Sequence, residues 1–327
     1  MKIAVVTLLF YSLMQWGFVQ NSPQNPELNL PTKFNKDSIS VLDFYRQYSS
    51  FTEPGEYEYL YENLPDSLPE LCSLIKSQFI HPYAELPKYR EQIPKDRWKE
   101  MYRYPGVKST LEGLVSYDPS GLTKERQPKD RLILGCWHNS LLLASILKSR
   151  EIPARIRYGH ATYLAPDYHI SHVICEVWND IEKRWMLVDP SMDMVDFSRD
   201  KFDISNNAWI QMQKGEIDPK LFGIPGRYNG PGSITAKLCS DLASILGTEH
   251  TFFEYAPILD FMFEENKELT SEQVELLNKI SKLMKTLDAE NLSELQEIYN
   301  NTPEIQITKS LGQISNNSDG STKPENN

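Results

Sequence analysis

The chain has few cysteines for its length. It carries four in 327 residues, and no two of them form a C-x-x-C pair. This number and spacing exclude the dense disulfide framework of a small secreted domain. Cys72, Cys175 and Cys239 each lie in an apolar pattern and are predicted to be small buried side chains. A Cys72–Cys239 disulfide is the alternative for two of them.

Basic residues are also scarce. Lysine and arginine total 34 against 45 acidic side chains, which gives a formal net charge of -11. An acidic surface repels nucleic-acid phosphates, and no run of Lys and Arg is long enough to form a patch for anionic membranes. We therefore expect no nucleic-acid partner and no basic membrane-binding surface.

The apolar run from Ile3 to Met14 is shorter than a membrane-spanning helix, which needs about 20 apolar residues. It follows Met1 and Lys2 and precedes a polar segment, as is typical of a secretory signal peptide. No clear cleavage site follows, so an uncleaved N-terminal anchor is the alternative. The sequence predicts an exported protein, secreted or periplasmic, that contacts a membrane only through this segment if at all.

Residues 131–190 predict one helix followed by three strands. The helix runs from Cys136 to Arg150, and Pro153 prevents it from continuing because proline lacks an amide hydrogen. Asn179-Asp180 is a turn signal between the last two strands. The predicted strands are Ala154–Tyr163, His169–Trp178 and Arg184–Val188.

Outside this segment the patterns are mainly helical. The alternation of Tyr57, Tyr59 and Tyr61 is the exception and predicts a half-exposed strand. From residue 311 onward almost nothing can be buried, which predicts disorder. The predicted helices are Leu68–Phe79, Ile234–Leu246, Ser271–Leu287 and Leu292–Tyr299.

Cys136 lies where a loop becomes a helix. A thiol there faces unpaired backbone amides and the positive end of the helix dipole, and both favour the thiolate, which is the nucleophilic form. The Cys136 amide could also donate to an oxyanion. By itself, a cysteine that opens an apolar helix is more often a core residue.

A base and its orienting carboxylate are predicted on the two strands that follow. His172 interrupts an apolar strand, and Asp189 closes the next one. If these strands pair through the Asn179-Asp180 turn, the carboxylate can fix the imidazole tautomer and stabilise its cation. A structural role for His172 and a simple Asp-Pro turn at Asp189 are the alternatives.

A metal site is a rival interpretation of the same region. His160, His169, His172 and Cys175 lie close in sequence, with Cys136 and His138 nearby. However, a three-residue step along a strand points side chains to opposite faces, and no second ligand pair has zinc-finger spacing. We therefore predict no metal and no cofactor.

Short motifs recur between Arg131 and about Pro190, from Gly135-Cys136 through Ile152-Pro153-Ala154-Arg155 and Ser171-His172-Val173 to Val188-Asp189-Pro190. These about sixty residues resemble the transglutaminase-like superfamily. That family has a Gly-rich start to its cysteine helix, a helix ending in GIPAR, an HaW.Ev strand and a W..vDP strand. Glu151 and Val173 depart from the usual Gly and Ala. The matching segments here are Gly135-Cys136, Ile152-Pro153-Ala154-Arg155, Ser171-His172-Val173 with Glu176-Val177-Trp178, and Trp185 with Val188-Asp189-Pro190.

The resemblance implies an α+β fold with a papain/transglutaminase-like core, in which a Cys-bearing helix packs on an antiparallel sheet. The helical patterns beyond Pro190 predict that a mainly α-helical C-terminal region follows this core. It also implies a catalytic triad of Cys136, His172 and Asp189. The predicted divisions are a signal peptide or anchor at 1–20, a linker and N-terminal extension at 21–65, the transglutaminase-like catalytic core at 66–200, the mainly helical region at 201–308 and a disordered tail at 309–327.

The expected function is that of a transglutaminase-like thiol enzyme. It would act on amide bonds of peptide or protein substrates through a Cys thioester, with hydrolysis by water or acyl transfer to an amine left open. Trp98 and Gln127 are alternatives for a second oxyanion donor. The other class of function is a non-catalytic binding or scaffolding protein of the cell envelope on the same fold.

Overall fold

The computed structural model describes residues 33–263 and 268–310, which form an α+β fold. The predicted signal segment and the predicted tail beyond residue 310 lie outside the described residues. No helix within the described ranges is long and apolar enough to cross a membrane. The helices are α1 (Val41–Arg46), α2 (Leu68–Lys76), α3 (Leu86–Tyr89), α4 (Val107–Tyr117), α5 (Cys136–Ser149), α6 (Ser205–Gln213), α7 (Pro231–Ile245), α8 (Ser271–Leu283) and α9 (Ala289–Asn301).

The described residues contain one seven-stranded sheet and one two-stranded ribbon. Five strands of the sheet follow the order β4-β3-β2-β1-β5, all antiparallel, while β6 pairs parallel with β2 and antiparallel with β7. The ribbon is β8 paired with β9. The strands are β1 (Ala154–Ala165), β2 (Tyr168–Asn179), β3 (Arg184–Asp189), β4 (Met194–Val195), β5 (Phe202–Ile204), β6 (Phe222–Ile224), β7 (Tyr228–Asn229), β8 (Glu254–Tyr255) and β9 (Lys309–Ser310).

The turn between β2 and β3 is fixed by local chemistry. The Asn179 side chain accepts hydrogen bonds from the amides of Ile181 and Glu182, at 3.0 and 3.1 Å, which is typical of Asn at a turn. Lys183 supplies the positive φ of 51°. The register pairs Cys175 with Val188 and so brings the end of β3 beside the middle of β2.

Helix α5 is the central helix of the fold. Every residue from Cys136 to Lys148 is buried, as expected for a helix that is surrounded by protein on all sides. It packs on β1 and β2 and also contacts α2 and α4. Leu142 and Leu143 are fully buried, in the same core cluster as Ile156 and Val173 from the sheet.

A second core cluster is built mainly from the C-terminal helices. Trp209 of α6, Leu238 of α7, Leu277 of α8 and Leu295 of α9 are all buried in it. Phe44 and Tyr45 of α1 join the same cluster, so part of the predicted linker region packs against these helices.

Helix α7 covers the edge of β1 that β5 leaves open. Strand β5 pairs only with residues 159–161. Next to that stretch, the Tyr158 amide donates to Asp241 Oδ1 at 2.9 Å, and the Ser244 hydroxyl donates to the Ile156 carbonyl at 2.9 Å. Two side chains of a helix therefore satisfy the backbone groups of an edge strand.

One local prediction differs from the structure, and one alternative is removed. Tyr57, Tyr59 and Tyr61 lie on a 3₁₀ helix, Gly55–Tyr61, and not on a strand. The alternating tyrosines do not form a strand because contacts with α5 decide the local structure. Tyr61 is buried against that helix, where its hydroxyl lies 2.6 Å from Ser145 Oγ. Cys72, Cys175 and Cys239 are buried, as predicted, and all four cysteines are free, so the alternative Cys72–Cys239 disulfide is absent from the described residues.

Candidate active site

Cys136 is the first residue of α5, directly after the N-cap residue Gly135. The first amides of a helix have no partner within the helix, so the Cys136 amide is available as a donor. The side chain is 7% exposed. The thiol thus lies at the buried, positive end of the central helix, as the sequence predicts.

His172 of β2 lies between Cys136 and Asp189. Its Nε2 is 2.7 Å from Asp189 Oδ2. Because a carboxylate accepts, Nε2 carries the hydrogen, and Nδ1 is the ring nitrogen left for the thiol. A hydrogen bond between the Cys136 and His172 side chains contributes to the ionisation of the imidazole. The structure therefore brings the three predicted residues together.

Asp189 is fully buried and multiply bonded. Tyr163 donates its hydroxyl to Oδ2 at 2.7 Å, and the Ser191 amide donates to Oδ1 at 2.9 Å. Burial opposes ionisation, but the charge of His172 and the hydrogen bonds from His172, Tyr163 and Ser191 outweigh it and lower the Asp189 pKa. The carboxylate is therefore held charged behind the imidazole.

The His172 imidazole is stabilised as a cation. Burial alone would lower its pKa, but the charges of Asp189 and Cys136 and their hydrogen bonds raise it from 6.5 to about 10. A cation at this position stabilises a thiolate on Cys136. The pair can thus act as a nucleophile and a proton donor, which are the two groups that acyl transfer needs.

Two further side chains near the thiol had no signal in the sequence. The Tyr163 ring packs edge-on against His172, with 6.2 Å between ring centres. Lys237 of α7 is 5% exposed and lies over the Phe252 ring at 3.9 Å. Burial lowers the Lys237 pKa to about 7, while the charge of Cys136 acts in the opposite direction. Neither residue belongs to a motif, so only the folded contacts reveal them.

The side chains of the rival metal interpretation have separate partners. His169 Nδ1 lies 2.5 Å from Asp203, and His160 Nε2 lies 3.1 Å from the Ser233 hydroxyl. The Cys175 thiol points to the Ser140 carbonyl at 3.4 Å. Within residues 33–263 and 268–310, no group of three or more His, Cys, Asp or Glu side chains is arranged to hold a metal ion.

The remaining motif residues form a buried ion cluster away from the thiol. Glu176 accepts from Arg155 and Arg157, each at 2.7 Å. The Arg155 guanidinium also stacks over the Trp185 ring at 4.0 Å. Three segments of the resemblance therefore meet at a charge cluster that holds the hairpin together.

The two sequence-based choices for a second oxyanion donor do not fit. The Trp98 indole nitrogen donates to the Ile93 carbonyl at 3.2 Å, and the Gln127 side chain is exposed on the surface. Neither interacts with Cys136 in the described structure.

Comparisons with known proteins identify no relative: no protein-family model, curated protein or solved structure matches the chain.

Proposed function

We propose that the chain is a transglutaminase-like thiol enzyme that acts on amide bonds of peptide or protein substrates through a Cys136 thioester. The observation that carries the proposal is the position of His172, which is hydrogen-bonded to Asp189 through Nε2 and is close enough to Cys136 for the thiol to raise the pKa of the imidazole. The order of elements supports a papain-like core, because a cysteine opens the central helix, a histidine lies on β2 and an aspartate ends β3.

The first half of the reaction forms the thioester. The Cys136 thiolate attacks the amide carbon, a C–S bond forms, and the carbonyl electron pair moves onto the oxygen. When the oxyanion collapses, the C–N bond breaks and His172 gives its Nδ1 proton to the leaving amine. Asp189 keeps the imidazole in the orientation that this transfer requires.

The second half releases the acyl group. His172, now neutral, takes a proton from the acceptor as the acceptor attacks the thioester carbon. The C–S bond then breaks and the thiolate reforms beside the imidazolium. Water as the acceptor gives a peptidase or amidase, whereas a primary amine gives an acyltransferase. An exported location, with or without an N-terminal anchor, belongs to the same proposal.

Selective alkylation tests the nucleophile. Burial raises the pKa of Cys72 and of Cys239 to about 12 and raises that of Cys175 as well. At pH 6, iodoacetamide should therefore label Cys136 first, as peptide mass mapping would show. Cys136→Ala should lose this label, and the matched control Cys175→Ala should keep it. Equal labelling of Cys136 and Cys175 in the wild type would contradict the proposal.

Product analysis shows whether water or a primary amine is the acceptor. Glutamine-containing peptides are incubated with wild type or Cys136→Ala, with and without a primary amine such as cadaverine. A Cys136-dependent mass gain with the amine identifies transfer, and Cys136-dependent cleavage or deamidation without it identifies hydrolysis. A binding protein without chemistry would give neither product, and that result would overturn the enzyme function.

A further inference from the structure

His81 is placed beside the start of α5 by a short parallel bridge. The Ile80 amide donates to the Leu132 carbonyl at 2.8 Å, and the Leu134 amide donates to the Ile80 carbonyl at 3.1 Å. These bonds fix the residue after Ile80 next to the residue after Leu134. The imidazole therefore lies against the chain that leads into Cys136.

Gly135 leaves the space in front of this imidazole open. A Cβ built on Gly135 would lie 3.8 Å from His81 Nε2, which is ordinary van der Waals contact. Since glycine has no side chain, nothing from residue 135 stands between His81 Nε2 and the first amide of α5.

The tautomer of His81 follows from its backbone neighbours. Nδ1 accepts from the amides of Tyr83 and Ala84, at 3.3 and 3.1 Å. A nitrogen that accepts has no hydrogen, so Nε2 carries the proton in the neutral ring. Among the residues that the structure describes, none accepts a hydrogen bond from Nε2. His81 is thus a preoriented donor aimed at the helix start.

The ring is neutral at physiological pH. Burial lowers the His81 pKa to about 4, and repulsion by the His172 cation acts in the same direction. A neutral donor does not compete with His172 for the Cys136 thiolate. It can still stabilise negative charge that develops on a substrate oxygen.

We propose that His81 is a catalytic residue that donates from Nε2 to the substrate oxyanion, opposite the backbone amide of Cys136. This role rests on the proposed thiol-enzyme function. It supplies the second donor that neither Trp98 nor Gln127 provides. Two preorganised donors at the developing oxyanion stabilise the transition state for both formation and breakdown of the thioester.

Two variants of His81 separate donation to the oxyanion from support of the loop. In His81→Asn, the side-chain oxygen can still accept from the Tyr83 and Ala84 amides, but no donor reaches the Nε2 position. In His81→Gln, the longer amide places an N–H near the Nε2 position. We therefore expect Asn to lose the acylation step and Gln to retain much of it.

The measurement compares two reactions of the same thiol. Acylation by p-nitrophenyl acetate forms an oxyanion, whereas alkylation by iodoacetamide does not. His81→Asn should acylate about 10²-fold more slowly than wild type, the usual effect of removing one oxyanion donor. The alkylation rate of His81→Asn should stay within about twofold of wild type. The acylation rate of His81→Gln should be at least about tenfold higher than that of His81→Asn.

The outcomes are distinct. Acylation of His81→Asn at the wild-type rate would overturn the role, and so would a parallel loss of acylation and alkylation, because that would show a structural or thiolate effect. If His81→Gln acylated no faster than His81→Asn, donation from this position would also be overturned. Failure of the thiol-enzyme function would show differently, since wild type would then acylate no faster than Cys136→Ala.

Discussion

Strand β2 carries two buried charge clusters only four residues apart. One contains carboxylate and guanidinium groups, whereas the other lies beside a thiol. Around Glu176, Arg155 and Arg157 bind Oε2, while Arg199 binds Oε1 at 3.1 Å. Arg157 also forms an ion pair with Asp241, with 2.8 Å between Nη2 and Oδ2. Every carboxylate oxygen in this cluster has a cationic partner.

In the cluster around His172, the hydrogen-bonding positions are filled at the Asp189 end but not at the Cys136 end. Asp189 has three donors, but the thiol end adjoins a helix amide and His81 Nε2, which has no acceptor within residues 33–263 and 268–310. Donors that adjoin a nucleophile in this way can hold a substrate oxygen. The comparison distinguishes a charge cluster that stabilises the fold from one that is organised to react.

Replacement of His172 should give the largest effect on reactivity. His172→Ala removes both the cation beside the thiolate and the proton donor, so acylation by p-nitrophenyl acetate should fall by about 10³-fold or more. Asp189 loses its cation in this variant but keeps the Tyr163 and Ser191 donors. The midpoint of urea unfolding should therefore fall, but less than in a Glu176 variant, which removes a carboxylate shared by three guanidinium groups. If acylation persisted near the wild-type rate, the two clusters would no longer differ in function.

Replacement of Glu176 should give the largest effect on stability. Glu176→Gln leaves Arg155 without a carboxylate partner in a buried site, which should lower the free energy of unfolding by about 3 kcal/mol or more. The control is Asp196→Asn at the exposed Arg184 pair, where little or no change is expected because solvent screens the charges. Urea denaturation measures both. Equal losses would mean that the Glu176 cluster is not structural.

The titration of His172 should reveal its partners. Its pKa is raised from 6.5 to about 10, so its protonation stabilises the fold fully below pH 6.5, and this contribution is lost as the pH rises through about 10. NMR of the imidazole should show a cation at neutral pH in the wild type. In Cys136→Ala the pKa should fall, since the thiolate no longer contributes. If the His172 pKa were the same in Cys136→Ala as in wild type, the thiol would have no influence on the imidazole.

Removal of the Tyr163 hydroxyl should have the smallest effect. Tyr163→Phe takes one of three donors from Asp189, while His172 and the Ser191 amide remain bonded. The acylation rate should drop by about tenfold, the low end of the effect of one hydrogen bond to a charged group, because Asp189 acts only through His172. A loss as large as that of His172→Ala would make Tyr163 an essential part of the reactive cluster.

Local sequence patterns were enough to predict the helix–hairpin unit. The bounds of α5, β1, β2 and β3 agree with the predicted segments within two residues at each end, because the turn at Asn179 and the stop at Pro153 are local signals. The proximity of His172 to Asp189 then follows from an antiparallel register. The α+β class follows from the same segments.

Contacts between distant segments could not be predicted in this way. His81 approaches Gly135 through the bridge between Phe79 and Leu132, which are 53 residues apart and share no periodic pattern. Lys237 approaches the thiol only because α7 packs against β1. These contacts depend on tertiary packing, which neither hydrophobic period nor motif spacing encodes.

The hydrogen bonds that Asp241 and Ser244 of α7 form with the edge of β1 limit where an extended peptide can bind. Peptides commonly dock by adding a strand to an open sheet edge, and the same unpaired groups promote self-association. At residues 156–158 the bonding positions on the α7 side are already taken. An extended ligand must therefore be held elsewhere, and loosening α7 would uncover a surface prone to aggregation.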